Sequence, residues 1–396
     1  MTTTINKEQK NPNVPNKQEH NQTCLSSAER DGLRPKGNVP NLRFPEFEGE
    51  WEKCKLGDAS EFSKERVNTQ NLSSDNYVAT ENMLQDYQGF IEASSVPTNT
   101  NVVKFNKGDV LLSNIRPYLK KVWFADKNGG CSADVFVFKA LSACIPDFLH
   151  YIIANDRFIN FAMSGAKGVK MPRGDKEQMK TYEIGLPSIE EQKKIATLLQ
   201  LLDERIATQN KIIDKLQSLI KGTAHKVSQQ GKPNTRLSEC LLCTSSTLQE
   251  SDVAELGAYP VYGANGIVGY LDTYNTTSEA IYIIKDGSGV GTVSYVNGKC
   301  SATGTLNILQ ANEGFSLRYL YFMLKVFGFE PYKTGMAIPH IYFKDYGKAK
   351  IYCPNYELQN KYANLLYEIE QKATIEQKIL DNLCSQKQFL LRQMFI

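Results

Sequence analysis

Cations and amides in this chain stand where they could hold and read a polyanion. Lys104, Lys107, Arg116, Lys120 and Lys121 share one stretch interrupted only by Asp109, and Lys167, Lys170 and Arg173 form a second, acid-free cluster. Each cluster by itself reads as a solvated basic face; two within one segment point to phosphate. Ser113 and Asn114 stand beside Arg116 in a loop-like Ser-Asn-Ile-Arg-Pro run. Asn and Arg are the side chains that pair bidentately with adenine and guanine edges, whereas Lys holds phosphate as a point charge. Further along, Tyr262, Asn265, Lys285 and Ser288 occupy comparable loop tips. Any one of these is more simply a turn-forming polar group, so the weight lies in the pattern.

Bond-making chemistry is much less well provided for. Gly287, Gly289 and Gly291 are spaced like a phosphate loop, but strand-like Thr-Val-Ser-Tyr-Val follows where a Walker loop needs Gly-Lys-Ser/Thr and a helix. A dinucleotide fingerprint would want its third glycine at Thr292. No Asn/Asp-Pro-Pro-aromatic methyltransferase loop occurs. Pro146-Asp147 lies too far from Glu191-Gln-Lys193 for a Pro-Asp…Glu-x-Lys nuclease pattern. His20, His150, His225 and His340 lack ligand spacing and a Ser or Cys elbow, and read as surface or structural histidines. Cys240 and Cys243 form a lone CxxC without the second pair that a zinc site needs. The reading is a chain with no catalytic residue and no metal.

The elements that must position these residues are written twice. Pro187-Ser-Ile-Glu-Glu-Gln-Lys-Lys-Ile-Ala-Thr-Leu-Leu199 aligns without a gap on Pro354-Asn-Tyr-Glu-Leu-Gln-Asn-Lys-Tyr-Ala-Asn-Leu-Leu366 at an offset of 167, with seven of thirteen positions identical. The offset extends to Gly168/Gly335 and Pro172/Pro339, and nearly to Cys131-Ser-Ala/Cys300-Ser-Ala. Each copy opens a long amphipathic helix. Ile195, Leu199, Leu202, Ile206, Gln209, Ile213, Leu216 and Ile220 step by fours and threes, a heptad seam with one polar entry. The matching positions are Tyr362, Leu366, Ile369, Ala373, Glu376, Leu380, Leu383 and Lys387, again polar opposite Gln209 in the alignment. Two matched seams favour packing on each other. A helix of about 40 residues is about 60 Å long, a spacer rather than a core helix.

Ahead of the first long helix, up to Leu186, short strand-like runs alternate with turn signals: Asp109-Val-Leu-Leu, Lys121-Val-Trp-Phe and Asp134-Val-Phe-Val-Phe, with Asn128-Gly-Gly130 as a turn. Ile145 to Met163 reads as one helix. In the second segment Tyr259 to Tyr270 places glycines between aromatics, and Ala280–Ile284 with Gly291–Val296 reads as a strand pair. Residues 1–40 are too polar to bury a core and are expected to be disordered. The organisation is then a globular domain over 41–186, a helix over 187–230, a second domain over 231–353 and a distal helix over 354–396. Nine scattered cysteines, the absence of an 18-residue apolar run and an N-terminus without a signal-peptide core point to a reducing, cytoplasmic setting and no membrane. A net charge of +3 decides nothing alone.

Over about residues 41–396 the chain resembles the specificity subunits of type I restriction-modification systems. The resemblance rests on Pro187-Ser-Ile-Glu-Glu-Gln-Lys-Lys-Ile-Ala196, Tyr259-Pro-Val-Tyr-Gly-Ala-Asn-Gly-Ile-Val-Gly269, Asn114-Ile-Arg-Pro-Tyr118 and Cys131-Ser-Ala-Asp134. The distal repeat departs from the pattern with Leu358 before Gln359. The resemblance implies an α+β fold: two similar α/β target-recognition domains, separated by two long helices packed as an antiparallel coiled coil, in a pseudo-twofold internal repeat. It implies that each domain reads half of an asymmetric, bipartite site in double-stranded DNA. Two methyltransferase subunits with S-adenosylmethionine, and two restriction subunits using ATP and Mg, would be the partners, leaving this chain without a cofactor. The other reading is a DNA-binding coiled-coil scaffold or regulator with no partner enzyme.

Overall fold

The computed structural model describes residues 37–396, so the expectation for residues 1–40 falls almost wholly outside it. The chain divides into two compact units, Met1–Leu198 with Gln388–Ile396, and Leu199–Lys387.

In the first unit an antiparallel sheet runs in the order Ser60–Phe62, Val135–Ala140, Val110–Ser113, Val122–Phe124. A second sheet orders Arg66–Asn68, Asn101–Phe105, Gly129–Cys131 and Tyr77–Val78, the last pair parallel. Leu111, Val137, Phe105, Trp123 and Met83 fill one cluster of the core. Gly129 and Gly130 are strand residues and not the expected turn. A Cβ on Gly129 would lie 2.1 Å from Asn76 O, and one on Gly130 2.6–2.9 Å from Leu72, Val102 and Val67. These glycines serve close backbone packing. The single helix expected over Ile145–Met163 is two, α1 (Pro146–Ile153) and α2 (Asp156–Ser164). The break falls where the Asn155 side chain caps α2 by accepting from Arg157 N.

The second unit repeats this order. Leu241–Ser245, Leu306–Ala311, Ala280–Ile284 and Val293–Val296 form its four-stranded antiparallel sheet. The Tyr259–Gly263 and Gly266–Leu271 hairpin carries Ser301–Ala302 as a parallel neighbour, the counterpart of the parallel pair in the first unit. Helix α4 (Leu317–Lys325) takes the place of α1.

Two long helices complete the fold, α3 (Ile189–Ser228) and α5 (Tyr356–Gln393). From Leu199 on, α3 packs antiparallel to α5 within the second unit. Asp203 pairs with Lys387 at 2.5 Å, Gln209 meets Glu376, and Gln230 meets Tyr362. The seam residues Leu199, Leu202, Ile206, Ile213, Leu216 and Ile220, and Leu366, Ile369, Leu380 and Leu383, are all buried or half-buried. Ile195 is buried in the first unit. The two polar seam entries find each other: Gln209 Nε2 donates to Glu376 O at 3.0 Å and to its Oε2 at 2.6 Å. The α3 seam also runs past Ile220, where the sequence reading ended it. Ala224 and Val227 join Tyr319, Phe322, Ala363 and Leu366 in the core of the second unit.

Both long helices begin with the same fastening. Ser188 Oγ caps α3 by accepting from Glu191 N, and Asn355 Oδ1 caps α5 by accepting from Leu358 N. Buried Gln192 accepts from Ile145 N and donates to Ala143 O and Pro187 O. Its counterpart Gln359 accepts from Ser316 N and donates to Pro354 O. The departure at Leu358 has a local explanation. Glu191, at the equivalent place, is buried against Arg43 Nε and Nη2 (2.8 Å each) and Trp51 Nε1 (3.3 Å) in the first unit.

Candidate nucleic-acid interface

The chain leaves the central strand Val110–Ser113 into a loop whose backbone is unusual. Arg116 (φ +51°) and Lys120 (φ +53°) are both left-handed, on either side of the turn Pro117–Leu119. Such a conformation costs a non-glycine residue about 1–2 kcal/mol. The loop is held on a second one. Arg116 N donates to Pro172 O (2.8 Å), Ile115 bridges Arg173, and Gly174 N donates to Asn114 O (3.2 Å). Lys167 and Arg173 close that second loop by exchanging two backbone bonds of 2.9 Å. Arg116 of the first basic cluster therefore meets the second cluster at one junction, whereas Lys104 lies on the strand Asn101–Phe105 and pairs with Glu65 at 3.0 Å.

The second unit builds the same junction. Lys285 N donates to Thr305 O as Asn114 N does to Asp134 O (3.0 and 2.8 Å). Ile341 N donates to Lys285 O, Gly287 N to Pro339 O, and Asp286 bridges His340. Thr334 and His340 close the loop as Lys167 and Arg173 do. Arg116 therefore corresponds to Gly287, whose φ is +95°. The same left-handed position is filled by glycine in one copy and by arginine, against its steric preference, in the other. Strain of this kind persists where the side chain is used.

The side chains at the first junction divide into engaged and unsatisfied groups. Ser113 is buried, its hydroxyl donating to Ile115 O (3.1 Å) and meeting Thr80 Oγ1 (3.2 Å). Lys121 Nζ donates to Thr80 O (2.7 Å). Lys120 pairs with Asp156 (2.9 Å), which also accepts from Tyr87 OH (3.0 Å). Burial works against the Asp156 carboxylate, but these two bonds outweigh it and hold its pKa below the usual range. Lys167 pairs with Asp175 (2.7 Å) and Arg173 with Asp134 (3.4 Å); both cations are exposed, so the pairs are weak enough to exchange for a phosphate. Lys170 is exposed on the loop. Asn114 Oδ1 and Arg116 Nε are buried with no hydrogen-bond partner among the described residues. Groups left in that condition cost free energy.

At the second junction Ser288 is exposed on the turn and Lys285 is half-buried, while Asp286 Oδ1 lies 2.6 Å from His340 Nδ1. Tyr262 is half-buried on its strand, its ring edge-on to Tyr282 at 5.8 Å, and burial raises its phenol. Asn265 is exposed at the hairpin turn. This hairpin reaches the junction through Thr303, whose N–H donates to Tyr262 O. Sequence reasoning did not find Thr80, Asp134, Asp286 or His340 as junction residues, because backbone pairing between distant loops recruits them. The 167 offset linking Lys167–Arg173 to Thr334–His340 was the signal available.

Burial pushes Cys243 up to about 11, and a hydrogen bond with Cys353, then burial, raises Cys240. Among the described residues no three His, Cys, Asp or Glu side chains cluster to hold a metal, and no helix is long and apolar enough to cross a membrane.

The duplication seen in fold and junction has a counterpart among known families. The sequence profile of the type I restriction modification DNA specificity domain matches residues 48–218 and again 241–384. The chain belongs to this family. Both matches carry one junction and one run of long helix. The specificity chain is 29% identical over 196 residues to the type I restriction enzyme MjaVIII specificity subunit of Methanocaldococcus jannaschii, which covers 48% of this chain and 44% of that relative. In fold it is similar to the S subunit of a type I restriction-modification system from Mycoplasma genitalium, at 20% identity and a TM-score of 0.64. That match covers 90% of this chain and 99% of the other. A chain from a type I R-M system studied for complex assembly and conformational transition matches at 19% identity and TM-score 0.51, covering 86% and 96%. These likenesses bear out the α+β fold, with its duplicated domains and long helices.

Proposed function

We propose that this chain is the DNA-reading, non-catalytic specificity subunit of a type I restriction-modification complex, and that its two junctions read the two halves of an asymmetric, bipartite site in double-stranded DNA. The observation that carries this is the double occurrence of one two-loop junction, strained at Arg116 in the first copy, which is also lined with cations and with unpartnered Asn and Arg atoms. Arg116 and Asn114 are suited to base edges; Lys167, Lys170, Arg173 and Lys285 to phosphates. Tyr262, Asn265 and Ser288 extend the second reader, and Lys120, Lys121 and Ser113 support the first through their protein partners. The recognition domains span 41–186 and 231–353, and the helices 187–230 and 354–396 join them. Two methyltransferase subunits would bring S-adenosylmethionine, and two restriction subunits ATP and Mg, in the cytoplasm. This chain supplies no cofactor site of its own.

The test is methylome sequencing of a host with and without the gene, followed by replacement of residues 41–186 with another family member's equivalent. One half of the methylated motif should change and the other remain. A change in both halves overturns the two-reader assignment, and co-purification without any methyltransferase favours the scaffold.

A further inference from the structure

The second loop of each junction carries an apolar tip that the DNA-reading assignment does not by itself require. In Lys167-Gly-Val-Lys-Met-Pro-Arg173, Val169 is 103% and Met171 49% exposed; in Thr334-Gly-Met-Ala-Ile-Pro-His340, Met336 is 106% and Ile338 58% exposed. The two loops share only the glycine and the proline, yet both place large apolar side chains at the first and third positions after the glycine. The position between them is free to be Lys170 or Ala337. Scattered exposed apolar residues are ordinary on a protein surface. Two in the same register in both copies of a repeat are not scattered.

The loops are built to hold those tips rigidly. Gly168 (φ +95°) and Gly335 (φ +87°) make the sharp turn, and a Cβ on Gly335 would sit 2.3 Å from Ile338 O. Pro172 and Pro339 stiffen the return, and paired backbone bonds close each base. Cations flank the first tip (Lys167, Lys170 and Arg173), and Lys333 stands beside the second. A narrow, stiff loop with an apolar point and a basic rim is suited to entering a polyanion whose interior is apolar. That is a stack of base pairs between phosphates.

We propose that Val169 with Met171, and Met336 with Ile338, are matched wedges, each inserted at one base-pair step in its half of the bound duplex and partly unstacking it. Apolar side chains of this kind open such steps and bend the duplex, so that sequence is read through deformability as well as through base edges. Each recognition half would contain a flexible pyrimidine–purine step at the wedge. The inference rests on the DNA-reading assignment above.

The test uses the full chain assembled with its methyltransferase and duplexes carrying the motif methylated in the host, with 2-aminopurine at successive positions. Fluorescence should rise several-fold at one step in each half. Val169→Ala/Met171→Ala should abolish the rise in one half only, Met336→Ala/Ile338→Ala in the other only, and Met336→Leu should retain it. Circular dichroism melts should be unchanged, since the tips are in solvent. Wild-type binding with no rise, or a rise the alanine variants keep, overturns the wedges and leaves the DNA-reading assignment standing. So does an affinity loss on thymine-to-uracil replacement without unstacking, which would mark contact with thymine methyl groups. No binding to the methylated motif overturns the DNA-reading assignment itself.

Discussion

Arg116 and Gly287 occupy the same left-handed position in two copies of one loop, and the contrast gives a means of separating strain from use. Arg116→Gly relieves the backbone while deleting the guanidinium; Arg116→Ala deletes it and keeps the strain. The glycine variant should be more stable than the alanine variant by about 1 kcal/mol in urea denaturation, with both weakened for DNA across a salt titration. Equal stability of the two would remove the strain argument, and wild-type affinity would remove Arg116 from the interface. Gln192 holds the start of α3 by burial and hydrogen bonding. It satisfies the Ile145 N–H and two carbonyls while almost fully buried, so Gln192→Ala should cost about 1–3 kcal/mol. A loss below about 0.5 kcal/mol would show that water takes over these bonds.

At the scale of elements the long helices are held by an apolar seam with one polar layer. Gln209→Leu alone leaves the Glu376 carboxylate facing an alkyl group and should lower the melting temperature. Gln209→Leu with Glu376→Leu should recover it or exceed wild type, because a polar pair in a packed seam contributes less to stability than well-packed apolar groups. What the pair supplies is register, since any slip of α3 along α5 would strand both groups. A double variant less stable than the single one would contradict that division of labour. Thermal melts of the three proteins decide it.

For the whole molecule the question is what the helices do for the two readers. A length insertion near Gly222, past the last heptad step at Ile220, would pull the buried Ala224 and Val227 from the core. The better place is the polar layer: four residues after Gln209 in α3 and four before Glu376 in α5. Each insertion adds about 6 Å and returns to within about 40° of register, close to the twist of one base pair. The methylated motif should keep both halves and gain one or two base pairs of spacer, at about 3.4 Å each. An active variant with an unchanged spacer would mean that the helix pair does not set the distance.

Periodicity and internal repetition are properties of the sequence alone, and what depends on them was legible there. The heptad steps from Leu199 to Ile220 and from Leu366 to Leu383 pointed to two long helices and favoured their packing on each other, because two matched seams in one chain can bury each other. The strand runs ending at Leu112 and Phe138 were legible for the same kind of reason, and the 167 offset announced two similar units. Only the tertiary structure decided the rest. Gly129 and Gly130 look like a turn until Asn76 and Val102 are seen pressed against them. The break at Asn155 depends on a side-chain cap competing with helix continuation. Docking of Arg116 on Pro172, and of Gly287 on Pro339, comes from backbone bonds between loops distant in sequence. No local pattern encodes such bonds, so which cations meet, and which are already paired, could be known only from the fold.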